Sequence, residues 1–186
     1  ILNCPIQDDG NNSIAQTCYD IAKELDVEPY DEHTGKGVLR HVIGRIGQSG
    51  WMVILVTATE HLPHQEEWVE RITNRIPQVE TIVHNVNSKR TNVILGPTNY
   101  VLYGDGTITD HIKDLQFTLS PHSFFQVNPE QTTVLYDQAL AYADLKGDET
   151  VIDAYCGTGT ISLFLAHKAK HVIGIEIVEP AIINAR

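Results

Sequence analysis

The chain has 186 residues, 42% of them apolar and 20% charged, with a formal net charge of −11. That is room for one large domain or two small ones around a buried core. The acidity argues against a broad basic nucleic-acid surface on this chain, and no apolar run approaches the roughly 18 residues needed to span a membrane.

The chain opens ILNCPIQDDG, which has neither the basic region nor the apolar stretch of a signal peptide and lacks Met, so a fragment of a longer protein is expected. Cys4, Cys18 and Cys156 are odd in number and show no CxxC spacing, which points to a reducing, cytoplasmic setting. Residues 12–26 read as a helix, with Ile14, Cys18, Ile21, Ala22 and Leu25 on one stripe and Asn12 or Ser13 as its cap. Cys18 lies on that stripe and reads as core. GVLRHVIGRIG and WMVILVTAT then form a strand pair joined by Gln48, Ser49 and Gly50. Residues 64–76 read as a second helix, with Trp68, Val69, Ile72 and Ile76 inward and Pro63 suiting the first turn. TIVHNVN, NVILG, NYVLYG, TITDHI and LQFTL follow as short strands between turn residues. Together residues 1–119 read as an α+β domain dominated by antiparallel pairing.

The texture changes at Ser120 and Pro121. Asn128, Pro129 and Gln131 make a helix start: cap, first position and third position. A strand at 149–154, a helix at 159–168, a strand at 171–177 and a helix from Glu179 follow, the order of a parallel α/β unit. An open α/β sheet usually has about five or more strands, so residues 120–186 read as the truncated start of a Rossmann-like domain.

Between the first parallel strand and its helix runs DAYCGTGTIS. A phosphate-gripping P-loop needs Lys and Ser/Thr after its last glycine, and here Gly159 is followed by Thr-Ile-Ser. The dinucleotide fingerprint needs a third glycine, and Ser162 holds that place. Asp153, four residues before Gly157, would repel a pyrophosphate. A cationic ligand without phosphate fits better, and S-adenosylmethionine is one. Gly157 and Gly159 would let the backbone approach it. Glu176, near the end of the second strand, would accept the ribose hydroxyls as the acid of dinucleotide folds does. Asp153 also reads as a helix cap, and Glu176 as a solvated strand end. Cys156 reads as a small packed side chain, since no base stands beside it.

SPHSFFQVNPEQTTVLYDQAL followed by VIDAYCGTGTISLFLAHKAKHVIGIEIVEPAIINAR resembles the RNA (uracil-5-)-methyltransferase family. CPIQ, GVLRHVIGR and YVLYGDGTI resemble its central domain more loosely. The resemblance implies S-adenosylmethionine as methyl donor and RNA as substrate, 23S ribosomal RNA rather than transfer RNA, with no membrane and no obligate protein partner. It implies that Gln126, Tyr155 and Glu176 line the donor site. Gln126 can donate and accept hydrogen bonds, and Tyr155 offers a face to a ring or a sulfonium. In the family the nucleophilic Cys and the base come later in the catalytic domain, so this chain alone is expected to be inactive. Many relatives also hold a four-iron cluster through four cysteines, and Cys4 matches the fourth; a lone Cys cannot hold one here. Arg40, on the first hairpin strand with His41 and Arg45, is the residue expected to face RNA; Lys89 and Arg90 lie in a loop. His61 and His64 lack further metal ligands. Two rival readings are a methyltransferase acting on a small molecule or protein and a non-catalytic RNA-binding module.

Overall fold

A computed structural model describes residues 4–185. The chain divides into two compact units, residues 1–109 and residues 110–186. The texture of the sequence placed the change near 120. The offset is the hairpin of β5 (Ile108–Ile112) and β6 (Leu115–Leu119), whose short alternating strands read as a continuation of the strands before them.

In the first unit, α1 (Asp9–Glu24) precedes β1 (Leu39–Ile46) and β2 (Trp51–Thr57). Then come α2 (Gln65–Arg75), β3 (Val79–Val86) and β4 (Thr98–Tyr103). The four strands form one sheet in the order β1-β2-β3-β4. β1 and β2 pair antiparallel, as do β3 and β4, whereas β2 and β3 run parallel through α2. The central strand β2 is apolar and buried from Met52 to Val56, as a strand covered on both faces should be. Ile14, Cys18 and Ile21 of α1, with Trp68 and Ile72 of α2, pack on Val53, Leu55 and Ile82 of the sheet. Burial pushes the Cys18 thiol up to about 12, so it stays protonated.

The helices keep their expected stripes but start differently. The α1 cap is Asp8, whose carboxylate accepts from the Gly10 N–H, while the Asn12 amide oxygen accepts from Cys4 N–H and Gln7 Nε2. His64, in a left-handed conformation, begins α2, so Pro63 stands outside its first turn.

NVILG is not a strand. Val93 and Ile94 are exposed, and side-chain amides hold the loop. Asn87 Nδ2 donates to the Val93 and Ile94 carbonyls, while buried Asn85 donates to Gly96 O and accepts from Gly96 N–H. At the end of β2, the Thr57 hydroxyl donates to Thr59 O, so His84 Nε2 of β3 donates to Thr57 Oγ1 at 2.7 Å. The His84 ring stacks on Tyr100, whose hydroxyl donates to Glu60.

In the second unit, α3 (Pro129–Ala143) starts as its sequence predicts, with Asn128 Oδ1 accepting from Gln131 N–H. β7 (Thr150–Asp153), α4 (Thr160–Ala166), β8 (His171–Gly174) and α5 (Glu179–Ala185) follow. β7 and β8 are parallel, with Ile152 opposite Ile173. Tyr136 of α3 ties α3 to α4: its hydroxyl bonds Thr160 Oγ1 and its ring meets Phe164 edge-on.

Candidate cofactor site

The glycine turn grows out of the parallel pair. The Ile175 N–H donates to Asp153 O at the end of β7, and the Cys156 N–H donates to Ile175 O. Pairing thus runs past β8 and lays the turn against the segment that carries Glu176. Gly157 and Gly159 have φ of +56° and +83°, which side chains rarely adopt. A Cβ on Gly157 would meet no protein atom within 4 Å, so that position is left open on its ligand side.

Two carboxylates bound this opening. Glu176 Oε2 accepts from the Gly157 N–H at 3.0 Å, and Oε1 accepts from the N–H groups of Ile177 and Val178, each at 2.8 Å. The bond from Val178 leads in holding the Glu176 carboxyl below the usual glutamate range, so it is ionised at neutral pH. Three of its roughly four acceptor positions are engaged, which leaves one on Oε2 for an incoming hydroxyl. Asp153 Oδ2 accepts from Ser162 Oγ at 2.6 Å, leaving Oδ1 as its second acceptor. The sequence had marked Ser162 only as a missing glycine. Its place nine residues after Asp153, one turn into α4, was the signal that its hydroxyl could return to that carboxylate.

Cys156 packs inward. A Cβ on Gly174 would lie 2.9 Å from the Cys156 sulfur, so the glycine of β8 makes room for the thiol. Burial first, then the Asp153 and Glu176 charges, push the Cys156 pKa up. Tyr155 is 92% exposed, and Gln126 lies half-buried two residues before the α3 cap.

Arg40 does not face outward. Its side chain is 1% exposed. The guanidinium donates to Glu32 Oε1 and to the carbonyls of Asn87 and Lys89, and stacks 4.7 Å from the Tyr30 ring. An arginine with four of its five N–H donors bonded and its side chain buried clamps two loops together rather than reaching out to a phosphate. Among the described residues, no group of three or more His, Cys, Asp or Glu is placed to hold a metal ion, so Cys4 does not make a cluster site with them. No helix among them is long and apolar enough to cross a membrane. Two open depressions, of about 570 and 260 Å³, are lined by residues of the first unit and include none from the glycine turn.

The chain is mixed α/β, and its parallel pair, connected through the glycine turn and α4, has the Rossmann-like arrangement seen in S-adenosylmethionine-dependent methyltransferases. Its full length superposes with a TM-score of 0.81, at 25% identity, on 45% of the Pyrococcus abyssi tRNA (uracil-54, C5)-methyltransferase solved in complex with S-adenosyl-L-homocysteine. In sequence the chain is similar to uncharacterized RNA methyltransferases. It is 54% identical over 98% of its length to an uncharacterized RNA methyltransferase of Halalkalibacterium halodurans, and 50% identical over 98% of its length to one of Clostridium acetobutylicum. The chain spans 40% of the length of each of these relatives. No family model matches it.

Proposed function

We propose that this chain carries part of the cofactor site of an S-adenosylmethionine-dependent RNA methyltransferase that modifies carbon 5 of uridine. The observation that carries the reading is the glycine turn bounded by two carboxylates, Asp153 and Glu176. Acids here repel a pyrophosphate and attract an ammonium or a sulfonium. The S-adenosyl-L-homocysteine in the solved relative supports the same ligand.

In this reading Glu176 takes a ribose hydroxyl on Oε2. Asp153, oriented by Ser162, takes the amino group on Oδ1. Gly157 and Gly159 give the backbone its close approach, and Gln126 and Tyr155 complete the donor site. When bound, S-adenosylmethionine supplies a methyl group on a cationic sulfur. Carbon 5 of uracil becomes nucleophilic only after a thiolate adds to carbon 6. Cys18 and Cys156 are buried and hold their protons, so neither serves as that thiolate. Cys4, like them, does not match the nucleophile's motif in the family that the sequence resembles, so in this reading the chain holds cofactor and methylation waits on residues outside it. The RNA is 23S ribosomal RNA by the sequence resemblance, although the solved relative is named for transfer RNA. We place the protein in the cytoplasm, where both RNAs occur, and keep 1–119 as the RNA-side domain and 120–186 as the cofactor domain.

Calorimetry tests the cofactor. Binding of S-adenosyl-L-homocysteine with no binding of a dinucleotide supports the reading; the reverse preference overturns it. Incubation with labelled S-adenosylmethionine and ribosomal or transfer RNA should give no methyl transfer by this chain alone.

A further inference from the structure

The loops that Arg40 clamps carry three cations that make no salt bridge among the described residues. Elsewhere in the first unit the positive side chains are engaged. Arg71 and Arg75 pair with Glu24, Arg40 pairs with Glu32, Lys23 lies over the Tyr19 ring, and Arg45 is half-buried in β1. Lys36, Lys89 and Arg90 are exposed and have no carboxylate within salt-bridge distance among the described residues.

These three converge on one corner. Residues 31–36 form a tight turn, closed by backbone pairing of Asp31 with Lys36, with Gly35 at φ +72°. The Arg90 guanidinium lies over Gly35, close enough that a Cβ there would come within 3.0 Å of it, and it donates to the carbonyls of His33 and Glu32. Lys89 is held next to it, because its carbonyl accepts from Arg40.

The four cations of the corner, Lys36, Arg40, Lys89 and Arg90, outnumber its two acids, Asp31 and Glu32. Glu32 is paired with Arg40, and the Asp31 carboxylate accepts the N–H groups of His33 and Thr34, which with the Arg90 charge hold its pKa down. The corner is thus a local positive patch on a chain of net charge −11.

We infer that Lys36, Lys89 and Arg90 form a contact surface for the phosphate backbone of the RNA, with Arg40 as the positioning residue that builds it. The inference rests on the RNA reading above and names where on this chain the RNA lies. Contacts of lysine and arginine to phosphate fix position without reading sequence, which suits exposed loop cations better than a buried arginine.

The test is fluorescence anisotropy of the 186-residue chain with labelled oligouridine across a salt series. Three lost phosphate contacts should lower the slope of log K against log salt by about 2, at about 0.7 per contact on a single strand. The Lys36→Gln/Lys89→Gln/Arg90→Gln variant should show that fall and bind roughly tenfold more weakly at moderate salt. Lys146→Gln, whose ammonium pairs with Asp144, is the control and should keep the wild-type slope. Should the triple variant melt early, Lys36→Gln/Lys89→Gln replaces it, since neither side chain is bonded within the fold. Unchanged affinity and slope in a folded variant overturn the patch and leave the RNA reading standing. Failure of the wild-type chain to bind oligouridine at low salt also overturns the patch. Calorimetry with S-adenosyl-L-homocysteine on the same sample then shows whether the cofactor reading survives.

Discussion

Glu176 does two jobs with one carboxylate. It bonds the N–H of Gly157 across the turn and those of Ile177 and Val178 in its own segment, and it keeps an acceptor for a ligand. Glu176→Gln keeps an oxygen acceptor but loses the charge. Affinity for S-adenosyl-L-homocysteine should fall roughly tenfold, the scale of one charge-assisted hydrogen bond, and the melting temperature should fall as well, because the amide nitrogen cannot accept the backbone N–H groups that one carboxylate oxygen holds. Calorimetry beside a melting curve separates the two. The depressed Glu176 pKa also sets a pH window. Binding should hold from neutrality down through the ordinary glutamate value of 4.5 and weaken only as pH reaches the lower value of Glu176 in the folded protein. Ser162→Ala frees Asp153 Oδ2 and leaves the carboxylate unoriented. It should weaken S-adenosyl-L-homocysteine but not adenosine, which lacks the amino group; equal losses for both would remove Ser162 from this role.

Elements show why some of the structure was readable and some was not. The strands flanking the glycine turn and the Asn128 cap follow from local chemistry: apolar runs, a Pro at the first helical position, glycines where φ is positive. The acids of the site were legible because their spacing along the chain already implied adjacent strand ends. NVILG failed because its apolar residues look like a strand, while the deciding groups, Asn85 and Asn87, lie in β3 and just beyond it. Arg40 failed for a related reason: a cation on a strand reads as solvated until the carbonyls that surround it are placed. Asn85 also donates to Thr98 O and Asn99 Oδ1, so it joins the loop to β4. Asn85→Ala leaves buried backbone groups of Gly96 unpaired and should cost about 3 kcal/mol, from penalties of 1–3 kcal/mol for each unsatisfied group. Urea unfolding measures that loss. In the second unit, Gly174→Ala sets a methyl against the Cys156 sulfur. It should destabilise by about 1–3 kcal/mol as an overpacking change, and Cys156→Ala should recover part of it, since the sulfur is the nearest atom. A cycle without coupling would mean that the two side chains do not meet.

At the scale of the whole molecule, protonation should erode stability in two stages. His84 is buried at 2% exposure, and desolvation lowers its pKa despite the opposing charge of Glu60, with His61 adding to the fall. His41 on β1 is lowered by desolvation and then by Arg40, against the charge of Glu32. A histidine with a depressed folded pKa binds its proton first in the unfolded chain. Stability is therefore full above the unfolded value of 6.5 and falls as pH drops from there toward the folded values. A second loss follows below about 4.5, where Glu24, Glu67, Glu149 and Glu176 give up depressed carboxylate pKa values. His84→Gln removes the titration of the more deeply buried histidine while leaving an amide to bond the Thr57 hydroxyl. Urea unfolding of wild type and variant at pH 8, 6.5 and 5 should show a shallower decline in the variant over the upper stage and the same decline below it. If the variant keeps the whole upper loss, His41 carries that stage and the Thr57–His84 pair does not.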